Sequence, residues 1–218
     1  MTTSPGPDPS GRERAPREGE GGPSRRKGGA RLDREAWVDA ASAALREGGP
    51  ARVGVERLAA ELGVTKGSFY WHFSSRADLL GAALDRWEER ATAEVIDANE
   101  AAGGSAQERL RRLLSVVTTP RSGATAELDL FAACPQEPLV AAALDRVVHR
   151  RVAYVAQLVA QARAERGLAP DDARSRAAAV ALYAAYVGNL QLARAVPRLL
   201  HDQDPTLTAD LLLGGIAD

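Results

Sequence analysis

The sequence predicts an all-α protein in which a small helical head precedes a larger helical body. From residue 33 onward, apolar residues recur every three or four positions, which is the spacing of one helix face. Glycine, proline and N-capping residues separate these runs, as they do between helices. No stretch alternates apolar and polar residues as a half-buried strand would. With 218 residues and 45% hydrophobic content, the chain can bury a substantial core.

Residues 1–31 differ from the rest and predict a disordered basic arm. They are rich in Gly, Pro, Ser and Arg and hold almost no large apolar side chain, so they cannot bury enough surface to offset chain entropy. Seven basic against four acidic residues give this arm a net charge of +3, concentrated in SRRKGGAR at residues 24–31. The arm is either a solubilising tail or a segment that contacts nucleic-acid phosphates.

Three helices follow within residues 32–78. Asp33 is placed to cap the first helix, which Gly48, Gly49 and Pro50 end. The second helix spans residues 55–62. Only Gly63 and Val64 separate it from a third, which the spacing predicts over residues 65–73.

The body, residues 79–218, contains further helices. A capping box at residues 75–78 opens a long fourth helix that ends at Gly103, and a second box at residues 105–108 opens the next. Another helix begins near Thr125, and Pro138 lies in the first turn of a long helix that ends at Gly167. Residues 177–193 form a charge-free apolar helix, and residues 204–214 are expected to pack beside it. That helix is shorter than the roughly 20 residues that span a bilayer, so no membrane partner is expected.

Catalytic and metal-binding patterns are missing from the sequence. The three histidines, His72, His149 and His201, lie far apart, and no zinc, nucleophile or phosphate-loop motif occurs. The single cysteine, Cys134, excludes a disulfide framework and fits a reducing cytosol. The N-terminus lacks the apolar segment of a secretory signal. We therefore expect a cytoplasmic protein that is not an enzyme and needs no cofactor.

The second and third helices have the spacing of a helix-turn-helix. Ala59 allows the helices to approach closely, and Gly63, four positions later, can adopt the positive φ of a tight turn. Gly67 inside the third helix costs about 1 kcal/mol relative to alanine, which suggests that another backbone or a phosphate comes close. Phe69 and Phe73 share the inward face. From the residues alone, a packed helical hairpin and a DNA-binding motif both remain open.

The run VGVERLAAELGVTKGSFYWHFSSRADLL, residues 53–80, resembles the N-terminal signature of the TetR family of transcriptional repressors. The portion GVTKGSFYWHFSSRADLL, residues 63–80, is highly specific for the family. The resemblance covers the three-helix head. Beyond it, only the order of helices and the loop at residues 167–170 are similar.

The resemblance implies a role for each matching residue. The DNA contacts it implies are Thr65, Lys66, Gly67 and Ser68 at base edges and nearby phosphates, and Tyr70, Trp71, His72 and Arg76 at the sugar-phosphate backbone. Two features depart from the family pattern. Gly54 replaces the usual hydroxyl residue that caps the second helix, and residues 32–80 carry six basic against seven acidic side chains, a net charge of −1. The basic arm would supply the missing positive charge.

The resemblance also implies a homodimer that binds a pseudo-palindromic double-stranded DNA operator and is regulated by a small-molecule effector. Residues 177–193 are the candidate dimer face, with an internal core helix as the alternative. Candidate effector contacts, each of which could instead be a core residue, are Trp87, Phe131, Tyr154, Tyr183, Tyr186 and Asn189. A helical small-molecule-binding protein or enzyme that does not bind DNA remains the alternative function.

Overall fold

The helices form where strong helix formers, chiefly Ala, Leu, Arg and Glu, follow a capping residue. The computed structural model describes residues 33–118, 125–201 and 204–214, and every regular element in these ranges is helical, as the sequence predicts. The predicted basic arm, residues 1–31, lies outside the described residues. The helices are α1 (Arg34–Gly48), α2 (Val55–Glu61), α3 (Lys66–Phe69), α4 (Arg76–Glu88), α5 (Glu94–Ala101), α6 (Ala106–Thr118), α7 (Thr125–Ala133), α8 (Pro138–Glu165), α9 (Asp172–Ala195), α10 (Pro197–His201) and α11 (Pro205–Gly214).

The two predicted capping boxes differ in detail. Ser105 Oγ accepts from the Glu108 backbone N–H at 3.2 Å, and the Glu108 carboxylate accepts from the Ser105 N–H at 2.8 Å, which confirms the second box. At the first, Ser75 Oγ accepts from the Asp78 N–H at 3.2 Å, but the Asp78 carboxylate accepts from the N–H of Ser74 rather than that of Ser75. The aspartate therefore bonds one residue earlier in the chain than the glutamate of a regular capping box does.

The head is built around three aromatic side chains. Phe69 and Phe73 are buried with their rings stacked 5.5 Å apart, and Trp37 of α1 meets Phe69 edge-on at 5.3 Å. This confirms that both phenylalanines face inward. The same core continues through Leu130 of α7 and Leu144 of α8, so the head and the body share one hydrophobic cluster.

The third helix is shorter than the sequence predicts. Its regular part ends at Phe69, whose carbonyl accepts from the N–H groups of His72 at 2.9 Å and Phe73 at 3.0 Å. The chain therefore continues in tight turns up to Phe73. Burial of both phenylalanines on one side is achieved by this turn and not by a second turn of α-helix.

A π-helical segment, Glu89–Ala93, interrupts the long helix predicted after residue 75. It joins α4 to α5 and inserts an extra residue into the turn, which displaces backbone carbonyls from the regular α-helical pattern. The predicted boundary between residues 78 and 79 falls within α4, so the division into two domains stays a prediction.

A second hydrophobic cluster lies in the body. It joins α6, α8, α9 and α11 through residues such as Leu114, Leu158, Leu182 and Leu213. The C-terminal helix α11 packs mainly against α6, and it shares this cluster with Leu182 of α9, beside which it was predicted to lie. Within the described ranges, no helix is long and apolar enough to cross a membrane.

Candidate nucleic-acid interface and internal cavity

The turn between α2 and α3 has the conformation that its glycine predicts. Gly63 has φ of +67°, and the Val64 N–H donates to the Ala59 carbonyl at 2.9 Å. This bond ties the start of the turn to α2 and fixes the direction in which α3 leaves it. The two short helices therefore form the predicted helix-turn-helix.

The predicted DNA-contacting side chains lie on the open side of this motif. Thr65, Lys66 and Gly67 are exposed, and the exposed fractions of Tyr70 and Trp71 are 58% and 81%. Ser68 and His72 are half-buried. A tryptophan side chain as exposed as that of Trp71 is unusual on a protein surface that contacts no partner. Its neighbours Phe69 and Phe73, in contrast, are buried. Residues 65–73 thus divide into buried side chains that anchor the segment to the core and exposed side chains that face solvent.

Two residues at the start of α3 bear on this surface. Thr65 occupies the N-cap position of α3, but its side chain makes no capping hydrogen bond. A side chain at Gly67 would meet only the Thr65 hydroxyl oxygen, 3.6 Å away, which is ordinary contact. Packing within the described residues therefore does not require glycine at position 67, whereas close approach of an outside molecule would.

Lys66 is paired with an acidic residue of α2. Its ammonium group donates a short hydrogen bond to the Glu56 carboxylate. This bond, together with the attraction between the charges, raises the pKa of Lys66 and lowers that of Glu56. Both side chains are largely exposed, so the ion pair is weak and can open when a phosphate or base edge approaches.

Arg76 is engaged inside the protein. Its Nε donates to the Val53 carbonyl and its Nη2 to the Pro50 carbonyl, both at 2.7 Å, and its Nη1 lies 3.2 Å from a Glu137 carboxylate oxygen. The guanidinium group therefore links the segment before α2 to the residue that precedes α8. Its predicted phosphate contact stays a prediction.

An apolar cavity of about 390 Å³ lies between the helices of the body and α1 of the head, in the size range of small-molecule sites. Four of the six predicted effector contacts line it: Trp87, Tyr154, Tyr183 and Tyr186. The other two do not. Phe131 packs against the core shared by head and body, and Asn189 is half-buried on α9 outside the lining.

The polar centre of the cavity is a buried carboxylate that sequence reasoning missed. Glu127 of α7 accepts from the Tyr183 and Tyr186 hydroxyls at 2.9 Å, and Arg151 Nη1 lies 2.9 Å from both of its carboxylate oxygens. The Arg151 guanidinium also donates to the Thr92 hydroxyl at 3.0 Å and to the Ala91 carbonyl at 2.9 Å. The π-helical segment thus provides two of the partners of Arg151.

The pKa values of these groups follow from burial and mutual attraction. Burial opposes the charge on Arg151, but the adjacent Glu127 carboxylate outweighs it, so the pKa of Arg151 is raised. Burial, followed by repulsion from Glu127, raises the pKa of Tyr183 and of Tyr186. All three groups therefore keep their protons, and the centre holds one positive and one negative charge.

Tyr154 has a separate set of partners. It donates to the Glu100 carboxylate at 2.5 Å and accepts from the Asn99 amide at 2.9 Å. Partial burial, with the bond to Glu100, raises the pKa of Tyr154 to about 12. Its hydroxyl is thus directed toward α5 rather than to the Glu127 centre.

One signal in the sequence points to the missed centre. Glu127 is one of two acids, with Asp129, in the otherwise apolar run TAELDLFAA, and Arg151 interrupts the apolar stripe of α8. Charged residues in such positions are buried only when they are paired. The sequence does not show that they pair with each other, because 24 residues separate them.

Comparisons with known proteins support the predicted helix-turn-helix head and the all-helical fold. Residues 38–83 match the family model described as bacterial regulatory proteins, tetR family. The HTH-type transcriptional regulator TtgR of Pseudomonas putida is 40% identical over 52 residues, which cover 24% of this chain and only 25% of TtgR. The match to this curated relative therefore spans about a quarter of its length.

Two solved structures extend the likeness to the whole fold. A candidate TetR-family transcriptional regulator from Rhodococcus sp. is 27% identical with a TM-score of 0.60, and the alignment covers 84% of this chain and 95% of that one. E. coli NemR in its reduced form is 21% identical with a TM-score of 0.69, covering 84% and 96%. Members of this family are regulators and not enzymes. Residues 38–83 thus carry the head of the tetR family of bacterial regulatory proteins, and the rest of the chain shares the helical architecture of these solved structures.

Proposed function

We propose that the protein is a sequence-specific DNA-binding transcriptional regulator, a repressor that a small molecule releases from its operator. The observation that carries the proposal is the surface at residues 65–72, where exposed polar and aromatic side chains are held by the buried Phe69 and Phe73. A helix-turn-helix places such a surface in the major groove. Lys66 and Ser68 would then face base edges, while Tyr70 and Trp71 would lie along the backbone.

Homodimerisation is the second part of the proposal. Helix α9 is buried on one side through Ala179, Leu182 and Leu190, but its other side exposes small and apolar residues. The exposed positions are Ala177, Val180, Ala181, Ala184, Gly188 and Leu192. A second copy packed on this face would cover it, and two heads related by a two-fold axis would match a pseudo-palindromic operator.

Release by an effector is the third part. The cavity is lined by Trp87 of α4 and by Thr92 of the π-helical segment, and α4 begins in the head directly after the helix-turn-helix. A ligand in the cavity can therefore bias the position of the head, provided that it binds the DNA-incompetent arrangement more tightly. The cytoplasm is the proposed location, as for any regulator of the bacterial genome.

A mobility-shift and binding titration with the full chain tests the DNA part. The operator is first selected from a random-sequence pool, and the dissociation constant is then measured at several salt concentrations. Lys66→Gln should change the preferred sequence, and Tyr70→Phe should weaken binding to every sequence by a few fold, because it removes one phosphate hydrogen bond worth about 1 kcal/mol.

Arg150→Gln is the matched control for Lys66→Gln, because it removes one exposed positive charge from α8, outside the head. It should leave operator affinity within about twofold. Absence of DNA binding at low salt by the full chain would sink the proposal. In that case the cavity would favour the alternative, a helical small-molecule-binding protein without DNA binding.

A further inference from the structure

An unpaired hydroxyl group lies in the wall of the cavity, on the head side. Ser42 of α1 is only 4% exposed, lines the cavity, and its Oγ has no hydrogen-bond partner within the described part of the chain. A buried polar atom without a partner costs about 1–3 kcal/mol, so it requires an explanation. A bound molecule that hydrogen-bonds to Ser42 Oγ provides one.

The Glu127 centre leaves no site for a positively charged ligand. A carboxylate offers about four acceptor positions, and here two tyrosine hydroxyls and the bidentate contact of Arg151 occupy them. The Arg151 guanidinium also lies over the rings of Trp87 and Tyr186, 5.9 and 5.8 Å from their centroids. Two of the four aromatic rings that line the cavity, those of Trp87 and Tyr186, are therefore already engaged by a protein cation.

Among the described residues, the cavity lining provides no buried counter-ion for a negatively charged ligand either. Arg151 is neutralised by Glu127, and Arg86 is paired with both Glu35 and Asp39. Arg46 and Arg90 also contribute to the lining, but both are exposed, so solvent screens their charges. Burial of an unpaired ligand charge here would cost several kcal/mol.

We propose that the effector is an uncharged, mainly apolar molecule that carries one hydrogen-bonding group, and that this group binds Ser42 Oγ. The inference rests on the proposed ligand site and specifies its chemistry. It also places one ligand contact on α1, the first helix of the head. The effector would then touch the DNA-binding head directly as well as through α4.

A matched series of biphenyl probes tests both parts by calorimetric titration of the full chain. The four probes differ in one group: biphenyl-4-ylmethanol, 4-ethylbiphenyl, biphenyl-4-carboxylate and biphenyl-4-ylmethylammonium. The alcohol should bind at least about tenfold more tightly than either ion, because neither charge finds a buried partner. The comparison variant is Ser42→Ala, which removes an unpaired buried hydroxyl and should fold at least as stably as the parent.

Ser42→Ala should weaken binding of the alcohol about fivefold, the value of one net hydrogen bond, and leave binding of 4-ethylbiphenyl within about twofold. An equal change for both probes, tightest binding by either ion, or no saturable binding of the alcohol would overturn the inference. Release of operator DNA is measured separately. Alcohol binding without release would support the inference and contradict only the proposed ligand-controlled repression.

Discussion

Among single residues, Glu127 has the strongest set of interactions in the described structure. Its side chain is 5% exposed and paired with an Arg151 side chain that is 15% exposed. Removing one partner of a buried ion pair leaves an uncompensated charge, which typically costs about 3–5 kcal/mol. We therefore expect Glu127→Ala to lower the free energy of unfolding by about 3 kcal/mol, measured by urea denaturation.

Glu47→Ala is the control for this prediction. Glu47 also pairs with arginines, Arg52 and Arg57, but its side chain is 59% exposed, so its loss should cost less than about 1 kcal/mol. If the two variants lost equal stability, the Glu127–Arg151 pair would contribute no more to the free energy of unfolding than an exposed ion pair, which would contradict the prediction.

The residues of the cavity were only partly predictable. Tyr183 and Tyr186 stand out in the sequence because each combines a large ring with a polar tip inside an apolar helix. What orients them is Glu127, which lies 56 and 59 residues away, and no local pattern encodes a contact of that range. Ser42 carries no signal at all, since a serine in an amphipathic helix is ordinary until its burial without a partner is known.

At the scale of elements, local chemistry determined most helix boundaries. Capping residues, glycines with positive φ such as Gly63 and Gly167, and Pro138 act within a few positions of their own place. The π-helical segment was not predictable, because its Ala91 carbonyl and Thr92 hydroxyl accept hydrogen bonds from Arg151 of another helix. The predicted end of α3 was wrong for a related reason. Phe73 is buried against the head core, and the chain reaches it through a tight turn instead of a regular helical turn.

The connection between the segment before α2, α4 and α8 depends on Arg76. Arg76→Ala removes the guanidinium donor from the Val53 carbonyl and leaves the Pro50 carbonyl with only the Val53 N–H, so we expect the free energy of unfolding of the DNA-free protein to fall by about 1–3 kcal/mol. Glu137→Gln, which alters only the partially exposed ion pair, should cost less. Unchanged stability in Arg76→Ala would contradict this role. In DNA-binding titrations of the same variant, a decrease of about 1 in the slope of the logarithm of the binding constant against the logarithm of salt concentration would support the phosphate contact that the family resemblance implies.

At the scale of the whole molecule, the net charge shapes how the protein can bind DNA. Residues 32–80 carry a net charge of −1, and Glu56 holds Lys66 in an ion pair. A single head therefore has little electrostatic attraction for DNA. Joining two heads in one dimer raises the effective concentration of the second head once the first has bound. Operator affinity should thus depend strongly on dimerisation.

Helix α9 offers a substitution that tests the dimer without disturbing the protomer. Gly188 is exposed, and a Cβ there would meet no atom within 4 Å. An arginine also has the higher helix propensity, so Gly188→Arg should fold normally.

On a dimer face, however, the arginine at position 188 would place a charge and a long side chain between two closely packed helices. By sedimentation analysis, the parent should have twice the 23.1 kDa mass of one chain and the variant the mass of one. Gly81→Arg, at a half-buried glycine of α4 where a Cβ would likewise meet no atom within 4 Å, should remain a dimer. A dimeric Gly188→Arg variant would mean that the copies associate through another surface.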